Sequence, residues 1–176
     1  MLTSNATPLK EMKLCIVIFG ASGDLALRML IPSIETISCY NPFNEGTKII
    51  GIARTKYTDD QLRQRLANGI KQFARIDKDT PDEGEACEIP ELFLQRIKYI
   101  SGDYSSQDTY DQLKGILEKE KFQGVLIYFA TPPTLVIPIT DMLSKNKIVG
   151  NDKQWVRIII EKPFGWDYKS AIDLNN

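Results

Sequence analysis

The chain has 176 residues, of which 43% are hydrophobic and 26% charged, a size that suits one domain burying about 70% of its unfolded surface without staples. With 22 basic and 23 acidic residues and a formal net charge of −1, there is no field to recruit nucleic acid or an anionic membrane surface. Histidine is absent, which excludes any mechanism resting on an imidazole base from this chain.

Residues 1–11 are polar and read as a flexible N-terminal tail. The run Leu14-Cys15-Ile16-Val17-Ile18-Phe19 is too short for an independent helix and rich in β-branched residues, which predicts a buried strand. Gly20 and Gly23 follow, and the missing Cβ permits turn angles and close approaches at both. A helix is predicted from Asp24, with Ala26, Leu30, Ile34 and Ile37 inward at helical spacing and Pro32 as the one residue that opposes it. A helix opening on such a turn directs unpaired N–H groups and a partial positive charge at whatever lies above it. That geometry suits a pyrophosphate. The spacing is G-x-x-G-x-x-A rather than G-x-G-x-x-G, so a plain steric turn stays open as the alternative.

Asn41 to Gly46 is a turn cluster, and Lys48 to Ala53 a second strand ending at Arg54. Thr58-Asp59-Asp60-Gln61 has capping-box form and leads a helix with Leu62, Leu66, Ile70 and Phe73 on one face. Residues 77–88 are acidic, hold Pro81 and Gly84, and read as a solvated loop. A short helix over 90–96 precedes a third strand, Ile97 to Ser101, and then Gly102-Asp103-Tyr104. Ser106 to Glu120 is predicted helical with Tyr110, Leu113 and Leu117 inward. Val125 to Ala130 is uninterruptedly apolar, as in a strand covered on both faces. Thr131-Pro132-Pro133 ends it, and Leu135 to Leu143 is a further helix. Val156 to Ile160 reads as a fifth buried strand, closed by Glu161-Lys162-Pro163-Phe164-Gly165, with Asp167 placed to cap a last helix.

Five strands alternating with helices predict an α/β fold whose parallel sheet is covered on both faces. Right-handed crossovers make a doubly wound, Rossmann-type sheet of order 3-2-1-4-5 the economical topology. Residues 12–176 would form this single domain. Ligands bind beyond the carboxyl ends of such strands. That rule gathers Gly20 to Ala26, Arg54, Asp103-Tyr104, Thr131-Pro132-Pro133 and Glu161-Lys162-Pro163 along one edge.

Arg54 falls where such a fold meets the adenine ribose, and the strand end Ala53-Arg54 offers no acid. A basic residue there accommodates a 2′-phosphate, whereas a solvated surface arginine is the plain alternative. Lys162 is held extended by Pro163 and could bind an anion or a reacting hydroxyl, or simply reach solvent. Tyr110 and Lys114 share the Tyr-x-x-x-Lys spacing of short-chain dehydrogenases, but their place on a helix with Tyr110 inward makes coincidence the better account. Trp155 and Trp166 read as packing residues. Cys15, Cys39 and Cys87 lack metal-ligand spacing; no metal site is predicted, and reduced thiols in a reducing, cytoplasmic compartment are expected. No apolar run approaches a membrane span and the opening residues lack a signal-peptide core.

On these residues the chain resembles the N-terminal coenzyme domain of the glucose-6-phosphate dehydrogenase family. The resemblance is carried by Gly20-Ala-Ser-Gly-Asp-Leu-Ala26, Ile49-Ile-Gly-Ile-Ala-Arg-Thr55, Phe129-Ala-Thr-Pro-Pro133 and Arg157-Ile-Ile-Ile-Glu-Lys-Pro-Phe-Gly165 followed by Asp167. It implies oxidation of glucose 6-phosphate at C1, with hydride passed to NADP and 6-phosphogluconolactone formed, at the head of the pentose phosphate pathway. It further implies that Gly20, Ala21, Ser22, Gly23, Asp24, Leu25, Ala26 and Leu27 bind the pyrophosphate and Arg54 the 2′-phosphate. Asp103 and Tyr104 would lie near the adenosine half. Lys162 would sit between substrate and nicotinamide, touching both cofactor and glucose 6-phosphate as the catalytic lysine. The full-length form is expected to be a homo-oligomer, with no nucleic-acid or membrane partner.

Met29 stands where the family usually has Lys, and Val136 where an aromatic often follows the double proline. The family's Arg-Ile-Asp-His-Tyr-Leu-Gly-Lys-Glu block, which supplies the histidine base, and its second domain are missing. The chain is therefore expected to be either a fragment of a longer enzyme or a free-standing domain, binding cofactor without turnover. A non-catalytic NADP-binding module and a sugar dehydrogenase of the glucose-fructose oxidoreductase kind are the alternatives.

Overall fold

Five parallel strands in the order β3-β2-β1-β4-β5 form the centre of the molecule. They are β1 (Leu14–Phe19), β2 (Lys48–Ala53), β3 (Ile97–Ser101), β4 (Gly124–Phe129) and β5 (Trp155–Ile160). The computed structural model describes residues 9–73, 90–149 and 154–162. The acidic loop 77–88, Cys87, Pro163 to Gly165, Trp166 and the last helix after Asp167 lie outside the described residues. Leu9–Glu11, within the segment read as a tail, form one 3-10 turn whose Leu9 carbonyl accepts from Met12 N and Asn44 N.

Helices cover both faces of the sheet, as the alternating pattern predicts. One face packs Cys15, Val17 and Phe19 of β1 against α4 (Gln107–Glu120) and α5 (Val136–Lys145). The other packs Ile16, Ile18 and Ile49 against the helix after the glycine turn and α2 (Asp59–Phe73), with Phe93 of α3 (Pro90–Gln95) closing one end. Side chains alternate along a strand, so the single run Leu14–Phe19 feeds both clusters. The Thr58 capping box is formed: Thr58 N donates to Gln61 Oε1 at 2.9 Å and Gln61 N to Thr58 Oγ1 at 3.2 Å. Among the described residues no helix is long and apolar enough to cross a membrane.

The first helix departs from its predicted register. Residues Ala26–Leu30 form a π-helical turn before α1 (Ile31–Tyr40), with Ile31 N donating to Ala26 O. Pro32 is the cause we assign: it has no N–H for the Arg28 carbonyl and its ring crowds that oxygen, so the turn ahead widens by one residue. The inward positions after Ala26 are therefore Ile31, Pro32, Glu35 and Ser38, while Leu30 and Ile34 are only half-buried and Ile37 is 47% exposed. A strict 3.6-residue count carried through Pro32 places Ile37 inward, and the widened turn rotates it outward instead.

Two further expectations change. β4 and β5 are not covered on both faces among the described residues: Leu126 and Tyr128 are half-buried, and β5 alternates exposed and half-buried along its length. As the outermost strand among the described residues, β5 packs Val156, Ile158 and Ile160 on the cluster under α4 and α5, leaving Trp155, Arg157 and Ile159 on the open side. Trp155 packs across Gly124, where a Cβ would stand 2.0 Å from the indole, and it also carries the Arg157 guanidinium at 5.4 Å. Cysteine is the second case. Cys15 is a buried free thiol, but Cys39 is disulfide-bonded, so the thiols are not all reduced.

Candidate functional site

The strand registers align the carboxyl ends. Phe19 pairs with Ile52 and with Phe129, Ala53 with Ser101, and Phe129 with Ile160. Residues Gly20, Arg54, Gly102, Ala130 and Glu161 therefore leave the sheet along one edge, as the topology rule requires.

The glycine turn forms the middle of that edge. Gly20 adopts φ +87, a region L side chains rarely enter. Its N–H donates to Ile52 O at 2.8 Å, and the neighbouring Ala130 N donates to Phe19 O at 2.9 Å. The two backbones are so close that a Cβ on Gly20 would stand 2.4 Å from Ala130 O. Gly23 differs. Its N–H closes the turn onto Gly20 O at 2.9 Å, and a Cβ there would meet only that oxygen, at 3.1 Å. Gly20 is thus demanded by the fold, while Gly23 leaves space above the turn. Ser22 N and Asp24 N donate to nothing among the described residues, as the first N–H groups of a helix do when they face a ligand or water.

Around the turn, Ala21 is buried against Gly51, where a Cβ would come within 2.7 Å of the alanine methyl. Ser22 Oγ lies 2.9 Å from Thr55 Oγ1, which ties the turn to the end of β2. Asp24 is exposed and pairs with Arg28 at 3.4 Å. Leu25 and Leu27 are half-buried and Ala26 fully buried; the Leu27 carbonyl abuts Gly69 of α2 so closely that a Cβ there would be 2.4 Å away. Ala21 and Leu25 to Leu27 shape the turn through packing, while Ser22, Gly23 and Asp24 are open to the crevice.

Arg54 is exposed, with its guanidinium carbon 5.9 Å from the centre of the Tyr104 ring. Tyr104 is buried and meets Phe19 edge-on at 5.9 Å. Burial pushes its hydroxyl up, against the pull of Arg54 and of the Gly20 N–H. Asp103 accepts from Ser105 N at 2.8 Å and Ser105 Oγ at 2.6 Å, and those bonds hold its carboxyl below the usual range, with Arg54 adding in the same sense. Arg54, Asp103 and Tyr104 are thus brought together beside the turn, as expected.

Lys162 is exposed and makes no hydrogen bond or ion pair among the described residues. Tyr110 is fully buried and donates to Tyr104 O at 2.7 Å, so its spacing from Lys114 has a packing explanation. Met29 is 61% exposed on the outer side of the helix, beside Arg28, whose guanidinium sits 5.1 Å from the Phe73 ring. Val136 is buried in the cluster that holds Phe129 and Ile139. Thr131 lies on this edge, as the topology rule places it, but the sequence assigned it no role of its own. Its Oγ1 is buried without a hydrogen-bond partner among the described residues, and its methyl would stand 3.3 Å from a Gly20 Cβ. A buried hydroxyl without a partner beside an open glycine turn is an unmet hydrogen-bonding group in the crevice.

Fold, turn and edge together define a Rossmann-type, NAD(P)-binding α/β domain. The donors above the turn, the open space at Gly23, the free Thr131 hydroxyl and the Arg54 cation fit a dinucleotide. The family described as glucose-6-phosphate dehydrogenase, NAD binding domain, matches residues 17–176, and the chain belongs to that family. It is 32% identical to the glucose-6-phosphate 1-dehydrogenase of Rhizobium meliloti over 91% of this chain and 31% of the relative. It is 34% identical to the cytoplasmic glucose-6-phosphate 1-dehydrogenase 5 of Arabidopsis thaliana, over 93% of this chain and 32% of that one. A solved glucose-6-phosphate dehydrogenase, in complex with its substrate glucose-6-phosphate, superposes with a TM-score of 0.78 at 32% identity, covering 97% of this chain and 34% of the other. The chain therefore spans about a third of the length of the relatives it matches.

Proposed function

We propose that this chain is the NADP-binding part of a cytoplasmic glucose-6-phosphate 1-dehydrogenase, working in the pentose phosphate pathway as a homo-oligomer. When bound, NADP supplies the hydride acceptor for oxidation of glucose 6-phosphate at C1. The pyrophosphate would take the N–H groups of Ser22 and Asp24 above Gly23. Arg54 carries the preference for NADP over NAD, with Asp103 and Tyr104 flanking the adenosine half.

The observation that carries this reading is Arg54, an exposed arginine steadied by Tyr104 at the end of β2, where the strand end Ala53-Arg54-Thr55 holds no acid. A carboxylate there would accept the ribose hydroxyls of NAD and repel a 2′-phosphate; a guanidinium does the opposite. Lys162, at the end of β5, is the lysine we assign to the space between nicotinamide and sugar. The direct experiment is calorimetric titration with NADP and NAD, and equal affinities would refute the NADP preference.

The chain assayed alone should bind cofactor without turning over sugar phosphate. Removing the C1 hydroxyl proton requires a base within reach. Histidine is absent, and the carboxylates on this edge are engaged: Asp24 with Arg28, Asp103 with Ser105 and Glu161 with Tyr128. The same observation favours a second reading, a cofactor-binding module without catalysis. Recovery of NADPH formation on adding the remaining two thirds of a relative as a separate chain would support the enzyme over the module.

A further inference from the structure

Tyr128 of β4 and Glu161, one residue past β5, meet across the strands, the Tyr128 hydroxyl donating to Glu161 Oε1. The register explains the contact. Tyr128 is paired with Ile159, so Glu161 lies two residues further on the same face. That face is the one beneath the glycine turn, because Tyr128 and Ala130 pack on the cluster that holds Ala21 and Ala26. Lateral order then fixes which end of a dinucleotide the pair would meet. Arg54 leaves β2 on one side of β1, and Glu161 leaves β5, two strands away on the other side. At about 4.8 Å per strand, Arg54 and Glu161 are roughly 14 Å apart along the edge. A dinucleotide with its 2′-phosphate at Arg54 and its pyrophosphate over Gly23 extends its nicotinamide toward β4 and β5.

We infer that Glu161, held in place by Tyr128, faces the nicotinamide end and, beside the Lys162 cation assigned to the same end, shifts this site toward the oxidised over the reduced cofactor. The chemistry is charge: the oxidised nicotinamide ring carries a positive charge and the reduced ring does not. A carboxylate fixed a few ångströms away attracts the first and is indifferent to the second. For an exposed pair about 6 Å apart, solvent screening leaves a preference of about three- to tenfold. Tyr128 is a positioning residue, acting only through Glu161. Burial, and then Glu161 itself, push its hydroxyl up to about 12, so it remains a donor throughout the working range.

Because this role rests on cofactor binding as proposed above, the test separates the two. Dissociation constants of the chain for NADP+ and NADPH are measured for the parent, Glu161→Gln and Tyr128→Phe. Glu161→Gln should lower the ratio of the NADPH to the NADP+ constant by about three- to tenfold, leaving NADPH binding within about twofold. Tyr128→Phe, which keeps the charge but frees the carboxylate, should lower the ratio by a smaller factor in the same direction. A ratio unchanged in both variants, with cofactor still bound, overturns this role and leaves the cofactor reading standing. Equal weakening of both redox forms marks the contact as structural and overturns it too. A parent chain that binds neither form overturns both.

Discussion

The two glycines of the turn should separate when each is given a side chain. In Gly20→Ala the residue must hold φ +87, and its Cβ would stand 2.4 Å from Ala130 O and 2.8 Å from Ala130 C. Those are backbone atoms, pinned by the Ala130 N to Phe19 O bond at 2.9 Å. The left-handed conformation costs roughly 1–2 kcal/mol, and relieving the contact roughly 1–3 kcal/mol more. The sum, about 2–5 kcal/mol, is a large share of the ~5–15 kcal/mol of a typical domain. At about 2–4 °C per kcal/mol for a chain of this size, the melting temperature should fall by roughly 4–20 °C. Gly23→Val meets only Gly20 O at 3.1 Å, so its stability loss should stay below about 1 kcal/mol, while its methyls fill the space above the turn. Thermal unfolding and NADP titration of both variants check the pair. A Gly20→Ala protein as stable as the parent, or a Gly23→Val protein that binds NADP normally, would refute this account of the turn.

Two helix glycines should respond in opposite directions. Gly115→Ala in α4, with nothing within 4 Å of the new Cβ, should stabilise by about 0.5–1 kcal/mol, whereas Gly69→Ala should destabilise because its Cβ would meet Leu27 O at 2.4 Å; urea unfolding reads both. Alkaline pH should weaken the fold. Tyr99 is raised to about 12 from an ordinary 10.0, by burial first, and burial also raises the Cys15 thiol from 9.0. The folded chain keeps these protons after the unfolded chain has lost them, so their stabilisation is complete below pH 9 and declines as pH rises toward 12. The urea midpoint should fall over that range, and a flat midpoint contradicts it. Thr131→Val should leave stability within about 1 kcal/mol of the parent, since its hydroxyl has no hydrogen-bond partner to lose among the described residues; a larger loss in thermal unfolding contradicts this.

Local signals made most of the architecture legible. The β-branched runs mark β1 and β2, and the Thr58 box opens α2 one residue later, because each is decided by residues close in sequence. The π-turn was not legible. Pro32 announces trouble, but whether a helix ends, kinks or widens depends on packing against the sheet and α2, and widening moved Ile37 outward. The strength of apolar character in Val156 to Ile160 also misled, since an edge strand and a central one share composition and differ only in neighbours. In the site, Gly20 and Arg54 could be placed from strand ends alone. The Arg54–Tyr104 stack and the Tyr128–Glu161 contact join residues 50 and 33 apart and depend on registers that no local pattern carries.

The central claim is that the edge built by Gly23, Arg54 and Tyr104 holds NADP. The most direct measurement is titration of the chain and of Arg54→Ala with NADP and NAD at one fixed ionic strength. A charge-assisted contact to phosphate contributes roughly 1.5–3 kcal/mol, or about one to two decades in affinity. The parent chain should therefore prefer NADP by that margin, and Arg54→Ala should lose it by weakening NADP alone. Equal binding of both cofactors by the parent, or an Arg54→Ala chain that keeps its preference, would contradict the account.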